Sequence, residues 1–184
     1  MRKNKRFRGL TLIEMAVVAV VLGLLTTLVF AVVFSSYSAY TSNTRMGGIQ
    51  ERARLALDGV TREIRLANRD TLAISQANGS DQASFSISLG VVDGVVQWST
   101  PILIGVQPSL VDANGNSAAD DGRLARVQDG VTDVYCDYVK QGGFTLQRQG
   151  DRVEVGLVLI TVDDRGRPLE CPVKTSVMLR NKGS

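Results

Sequence analysis

One carboxylate stands alone in the most apolar stretch of this 184-residue chain. Residues 10–34 carry a single charge, Glu14, and no proline. A carboxylate inside such a helix costs about 3 kcal/mol in lipid unless something compensates it, so Glu14 marks a functional position. Other reactive groups are sparse. Histidine is absent, which removes the commonest general base and the commonest transition-metal ligand. Neither a nucleophile motif nor a phosphate-binding loop is present, and the chain is therefore not expected to be an enzyme.

Two further groups could do chemistry. Cys136 and Cys171 lie far apart in sequence and fit no metal or redox spacing. In an exported protein they read as one disulfide, and the alternative is two buried thiols in adjacent strands. The loop Asp112-Ala-Asn-Gly-Asn-Ser-Ala-Ala-Asp-Asp121 sets Asp112, Asn114, Asn116, Asp120 and Asp121 close together. Alternating oxygen donors around a glycine suit a hard cation such as Ca2+. The glutamate and glycine placement of an EF-hand is missing, and Asx-rich turns also form without metal. Apart from that possible Ca2+, no cofactor is expected.

The elements that must position Glu14 are a leader and a helix. Residues 1–9, MRKNKRFRG, contain five basic residues and no acid. They account for the whole positive balance: the net charge is +3, but residues 10–184 hold 16 basic against 18 acidic residues, a net of −2. That sign and the lack of a basic-aromatic patch argue against nucleic acid as a partner. Residues 10–34 as a helix reach roughly 37 Å, enough for a hydrocarbon core of about 30 Å. The basic cluster before it predicts a single-pass protein with its N-terminus in the cytoplasm. A cleaved secretory signal would need a shorter apolar stretch and a small-x-small site at its end, which the sequence does not offer. An uncleaved anchor explains the hydrophobicity but not Glu14.

The run Gly9-Leu10-Thr11-Leu12-Ile13-Glu14, behind its basic leader, resembles the processing site of type IV prepilins and type II secretion pseudopilins. The resemblance implies that prepilin peptidase cuts after Gly9, on the cytoplasmic side of a bacterial inner membrane. It implies a mature chain that starts at Leu10, is N-methylated there, and keeps its whole apolar helix. Glycine suits a narrow peptidase site because it has no side chain to clash. Glu14 then neutralises the α-ammonium of a neighbouring subunit during assembly, a charge-assisted contact in a low-dielectric setting. The sequence departs from the family at two places. Leu10 replaces the usual phenylalanine after the glycine. Ala31 stands where major pilins carry a helix-melting proline, which favours a minor component.

Beyond residue 34 the pattern turns amphipathic. Ile49, Ala53, Ala56, Val60, Ile64 and Ala67 recur at three- and four-residue spacing beside Leu57, while Gly47-Gly48 is a candidate kink. Residues 35–68 are thus read as a continuation of the helix, and 69–184 as a β-rich head. Expected strands include 83–89, 91–99, 102–106, 124–127, 131–139, 144–149, 152–162 and 175–179, with Asp93-Gly94 and Gly142-Gly143 as hairpin turns. The fold class is α+β, a long N-terminal helix packed on an antiparallel sheet, pilin-like. The run Glu63-Ile64-Arg65-Leu66-Ala67 resembles the post-membrane helix of PilW-like minor pilins and of the J-type minor pseudopilin, and the ending Val177-Met-Leu-Arg-Asn181 resembles the last strand of PilW-like proteins.

The resemblance implies a structural subunit held in inner-membrane lipid with its head on the extracytoplasmic side. It would co-assemble with other minor and major pilins or pseudopilins, at the tip, to prime a type IV pilus or type II secretion pseudopilus. The alternative is an adhesive or DNA-uptake pilin whose head binds a ligand.

Overall fold

A computed structural model describes residues 11–109, 112, 121–163 and 165–179. Helix α1 runs from Leu12–Leu66 without interruption, so Gly47 and Gly48 lie within it and do not end it. It is long and apolar enough, near the N-terminus, to cross a membrane. The chain falls into two compact units, Met1–Thr41 and Ser42–Ser184.

In the first unit, residues 15–34 of the helix are apolar on every side, as a span facing lipid or other helices requires. Its hydroxyls between residues 15 and 34 belong to Thr26 and Thr27. Both bond back to the helix, Thr26 Oγ1 to Leu22 O at 2.9 Å and Thr27 Oγ1 to Gly23 O at 2.8 Å. No water is needed to satisfy them, which suits a hydrocarbon surrounding.

The second unit joins the rest of α1 to a sheet. The strands are β1 (Ala73–Ala77), β2 (Ser80–Phe85), β3 (Ser88–Val92), β4 (Val95–Trp98) and β5 (Ile102–Pro108), followed by β6 (Gly122–Gln128), β7 (Val131–Gln149), β8 (Arg152–Val162) and β9 (Pro168–Met178). Among the described residues, seven of them form one antiparallel sheet in the order β1-β2-β5-β6-β7-β8-β9, and β3 and β4 form a separate hairpin. Alternation decides which side faces the helix. Val153, Val155, Leu157 and Leu159 of β8 point inward, and Phe144 and Leu146 of β7 join them. From α1 the inward stripe is Ile49, Ala53, Ala56, Leu57, Val60 and Ile64, the spacing of one helix face.

Small residues stand in and beside that stripe (Ala53, Ala56 and Gly59) for a reason. A Cβ on Gly59 would stand 2.8 Å from the Tyr135 ring, so glycine is what allows the ring to lie against the helix. Burial of Tyr135 pushes its phenol up to about 12. Glu63 adds to that rise, and Arg126, 3.5 Å from Glu63, opposes it.

Strand β7 carries the largest departures from the expected pattern. Gly142-Gly143 does not form a hairpin turn, because the strand continues through it to Gln149. Positive φ angles at Tyr138 (68°) and Gly142 (71°) bend the strand there, and the pairing with β8 shifts register between Val139 and Phe144. A Cβ on Gly143 would meet Lys140 O at 2.7 Å and Val158 O at 2.8 Å. The glycines therefore serve a bulge. Past the bend, β7 approaches β2, and the Asp81 carboxylate accepts the Leu146 N–H at 2.7 Å. Hairpin turns instead fall at Asn78-Gly79, Asp93-Gly94 and Asp129-Gly130, each with two consecutive positive φ values, the type I′ pattern. The run 91–99 is accordingly split between β3 and β4, and β1 and the first half of β9 are additional to the expected strands.

Between β8 and β9 the chain turns around a buried carboxylate. Asp163 Oδ1 accepts the N–H groups of Arg165 and Arg167, each at 2.8 Å, and Oδ2 accepts Arg167 Nε at 2.7 Å. The Arg167 backbone N–H, aided by the other donors and the guanidinium charge, holds this carboxyl below its ordinary value.

The cysteine pair does not meet its expectation. Cys136 and Cys171 are free and buried in this structure. They belong to β7 and β9, with β8 between them. Two strand spacings amount to about 9.6 Å, beyond the Cα separation of roughly 4.4–6.8 Å that a disulfide spans. Burial pushes the Cys136 thiol up to about 12 and raises Cys171 as well, so neither is poised to react at neutral pH.

Two outcomes follow for the solubilised full-length chain. Gly59→Val should destabilise the head by about 1–3 kcal/mol, since overpacking against Tyr135 outweighs the gain in helix propensity. A melt as stable as the parent would refute that packing. Cys136 and Cys171 should resist a maleimide reagent in the native state, and both should label after unfolding without reductant. Labelling only after reduction would establish a bridge.

Candidate functional site

The start of α1 is where the sequence concentrates its chemistry. Gly9 and Leu10, the expected cleavage and N-methylation positions, lie outside the described residues. Glu14, the expected assembly position, lies in the first turn of the helix.

Its carboxylate is held by the chain's own helix terminus. Glu14 Oε2 accepts the backbone N–H of Thr11 at 2.8 Å and the Thr11 hydroxyl at 3.0 Å. The Glu14 N–H in turn meets Thr11 Oγ1 at 3.3 Å. This reciprocal arrangement is a capping box, with Thr11 as N-cap and Glu14 as the third helical residue. It satisfies donors that the first turn would otherwise leave unpaired, and it sets a negative charge at the positive end of the helix dipole. The Thr-x-x-Glu spacing signals such a box in sequence, so Thr11 is a residue that attention to Glu14 alone passes over. Chemically, the site fixes a carboxylate four residues after Leu10 at the edge of an apolar span, where a nearby ammonium would be its natural counter-charge.

The other candidate residues do not gather here. Of the proposed calcium ligands, Asp112 is exposed and Asp121 is buried at the entry to β6. Asn114, Asn116 and Asp120 lie outside the described residues. Among the described residues, no group of three or more His, Cys, Asp or Glu side chains is placed to hold a metal ion. Cys136 and Cys171 belong to the core of the head.

Comparison with known proteins bears on the same N-terminal residues. Residues 4–30 match the family model described as the prokaryotic N-terminal methylation motif. No curated protein and no solved structure matches the chain. The matched segment covers Gly9, Leu10, Thr11 and Glu14 and most of the apolar span. Proteins with this motif are structural subunits, substrates of prepilin peptidase that assemble with other pilins. A basic leader, the methylation motif at residues 4–30, a membrane-length helix opening on a capped glutamate, and an antiparallel sheet after it in the chain together indicate a type IV prepilin-like protein.

Proposed function

We propose that the chain is a minor pilin or pseudopilin, cut after Gly9, methylated at Leu10 and incorporated near the filament tip, where it primes assembly. The observation that carries this reading is Glu14, held at the mouth of the membrane helix inside a matched methylation motif. Once the leader is gone, a mature α-ammonium at Leu10 has to enter a low-dielectric filament core beside those of its neighbours. A carboxylate at a fixed height on each helix offsets that cost, since an unpaired buried charge is unfavourable by several kcal/mol, roughly 3–5. The minor rather than major role is supported by α1 itself, which continues helically through Ala31 with no proline to interrupt it.

Three variants test the proposal in the native host. Gly9→Val should accumulate as an unprocessed precursor. Glu14→Ala should be processed to mature size yet fall at least about tenfold in the assembled-filament fraction, the ratio that 1.4 kcal/mol produces. Deleting the gene should lower the number of filaments and leave the bulk subunit unchanged. Normal incorporation of Glu14→Ala would overturn the role of the carboxylate. A fibre composed mainly of this chain would overturn the minor assignment.

A further inference from the structure

The hairpin of β3 and β4 is the one pair of strands, among those described, that belongs to no larger sheet. Its register places Val91 opposite Val96 and Val92 opposite Val95, with a bulge between Ser88 and Gly90. One face therefore carries Val91, Val96 and Trp98 in a cluster, with Leu89 in the bulge beside them. All four stay exposed, Leu89 and Val91 most: Leu89 is 70 % exposed, Val91 64 %, Trp98 43 % and Val96 38 %. An isolated two-stranded hairpin is marginal in water and gains stability from a third strand or a packed face. Among the described residues this one has no third strand and no fully packed face. Its two outer edges also differ. The β3 edge is broken by the bulge at Leu89 and Gly90, where φ reaches 127°. The β4 edge runs straight from Val95 to Trp98, with no proline, lysine or bulge to block pairing.

We infer that this face and the free β4 edge receive an extended apolar segment, flanked by basic residues, from a different subunit of the same filament. The inference rests on the proposed role as an assembled pilin subunit. Three observations select this occupant. The first is charge: residues 86–101 include one charged side chain, Asp93 at the turn, and Thr100 at the base of the hairpin donates to Asp129 at 3.0 Å. A second copy would bring acid against acid, whereas Lys or Arg beside an incoming strand would complement both ends. The second is area. Four partly exposed side chains offer a few hundred Å2, well short of the roughly 800 Å2 per partner that a standard stable interface uses. The contact therefore suits subunits already held together elsewhere, as along a filament. The third is the backbone. Unpaired N–H and C=O groups along β4 are unfavourable in hydrocarbon, which disfavours lipid as the covering layer, while an added strand satisfies them.

Two measurements on the full-length chain in its host test this. The double variant Val91→Lys with Val96→Lys should be processed normally and melt at the parent temperature, because both side chains face solvent. It should nevertheless fall at least about tenfold in the filament fraction. In parallel, a photoreactive benzoylphenylalanine at Val91 should crosslink, in filaments and not in unassembled membrane, to an extended segment of another subunit, located by peptide mass spectrometry. Normal incorporation of the double-lysine variant would overturn the inference. So would an adduct with a second copy of this chain, an adduct with lipid, or incorporation of the probe without any adduct. If the unmodified chain is itself missing from filaments, the proposed function fails with it; if it is present, only the docking surface is at stake.

Discussion

The head depends on how closely a helix can approach a sheet. Along Ala53, Ala56 and Gly59 the helix presents almost no side-chain thickness, and Leu57, Val60 and Ile64 flank that track. Tyr135 fills the space over Gly59, and Phe144, Leu157 and Leu159 complete the layer from β7 and β8. Thicker residues on the helix would lift the sheet and open a gap beneath these rings, losing both burial and dispersion contacts. The same helix α1 also carries the membrane-length segment. One element is therefore subject to two composition rules: all-round apolarity in its first half, and in its second a buried stripe that mixes small with large apolar residues.

Strand β7 adapts the sheet to that helix. Its first half pairs with β6 and its second with β8, and the bend at residues 138–143 makes the change possible. Tyr138 takes a positive φ there, and the Arg52 guanidinium lies 5.8 Å from its ring centroid. This cation–aromatic contact links α1 to the bend. Beyond it, Asp81 completes the hydrogen bonding of the Leu146 N–H in place of a strand partner. A side chain thus closes the approach of β2 to β7, where regular ladder pairing would need another strand.

The sequence makes local features plain and hides those that depend on distant partners. Helix α1 and its inward stripe follow from periodicity, because 3.6-residue spacing is imprinted on each turn. Asp93-Gly94 is legible as a turn because both residues tolerate the left-handed backbone that a tight hairpin requires. Gly142-Gly143 has the same local signature, yet its role is set by Lys140 O and Val158 O, which leave no room for a Cβ. Strand β1 is obscured by its composition, AISQA, which holds a single large apolar residue. The cysteines show the same limit: sequence separation says nothing of the strand that stands between them. At the N-terminus, the motif and Glu14 are compact enough to be read directly. The Thr11 side of the box emerges only once Glu14 is seen to bond backward along its own helix.

That backward bond bears on why the glutamate is needed at all. A capping interaction is worth about 1 kcal/mol, while a carboxylate held in the membrane costs about 3 kcal/mol. The cap therefore recovers only part of the cost and cannot by itself account for an acidic residue here. Glutamine at the same position would close the box with Thr11 without a charge. What the cap does achieve is orientation: the Thr11 N–H and hydroxyl both fix Oε2, so the carboxylate stays at the rim of the span instead of searching among rotamers. A counter-ion arriving at that height meets a charge already in place and loses less entropy on pairing. The remaining roughly 2 kcal/mol, the difference between those two magnitudes, is what an ammonium from a neighbouring subunit would supply on the proposed reading. Thr11 then acts as a positioning residue for Glu14, and the cap and the assembly contact are successive uses of one side chain.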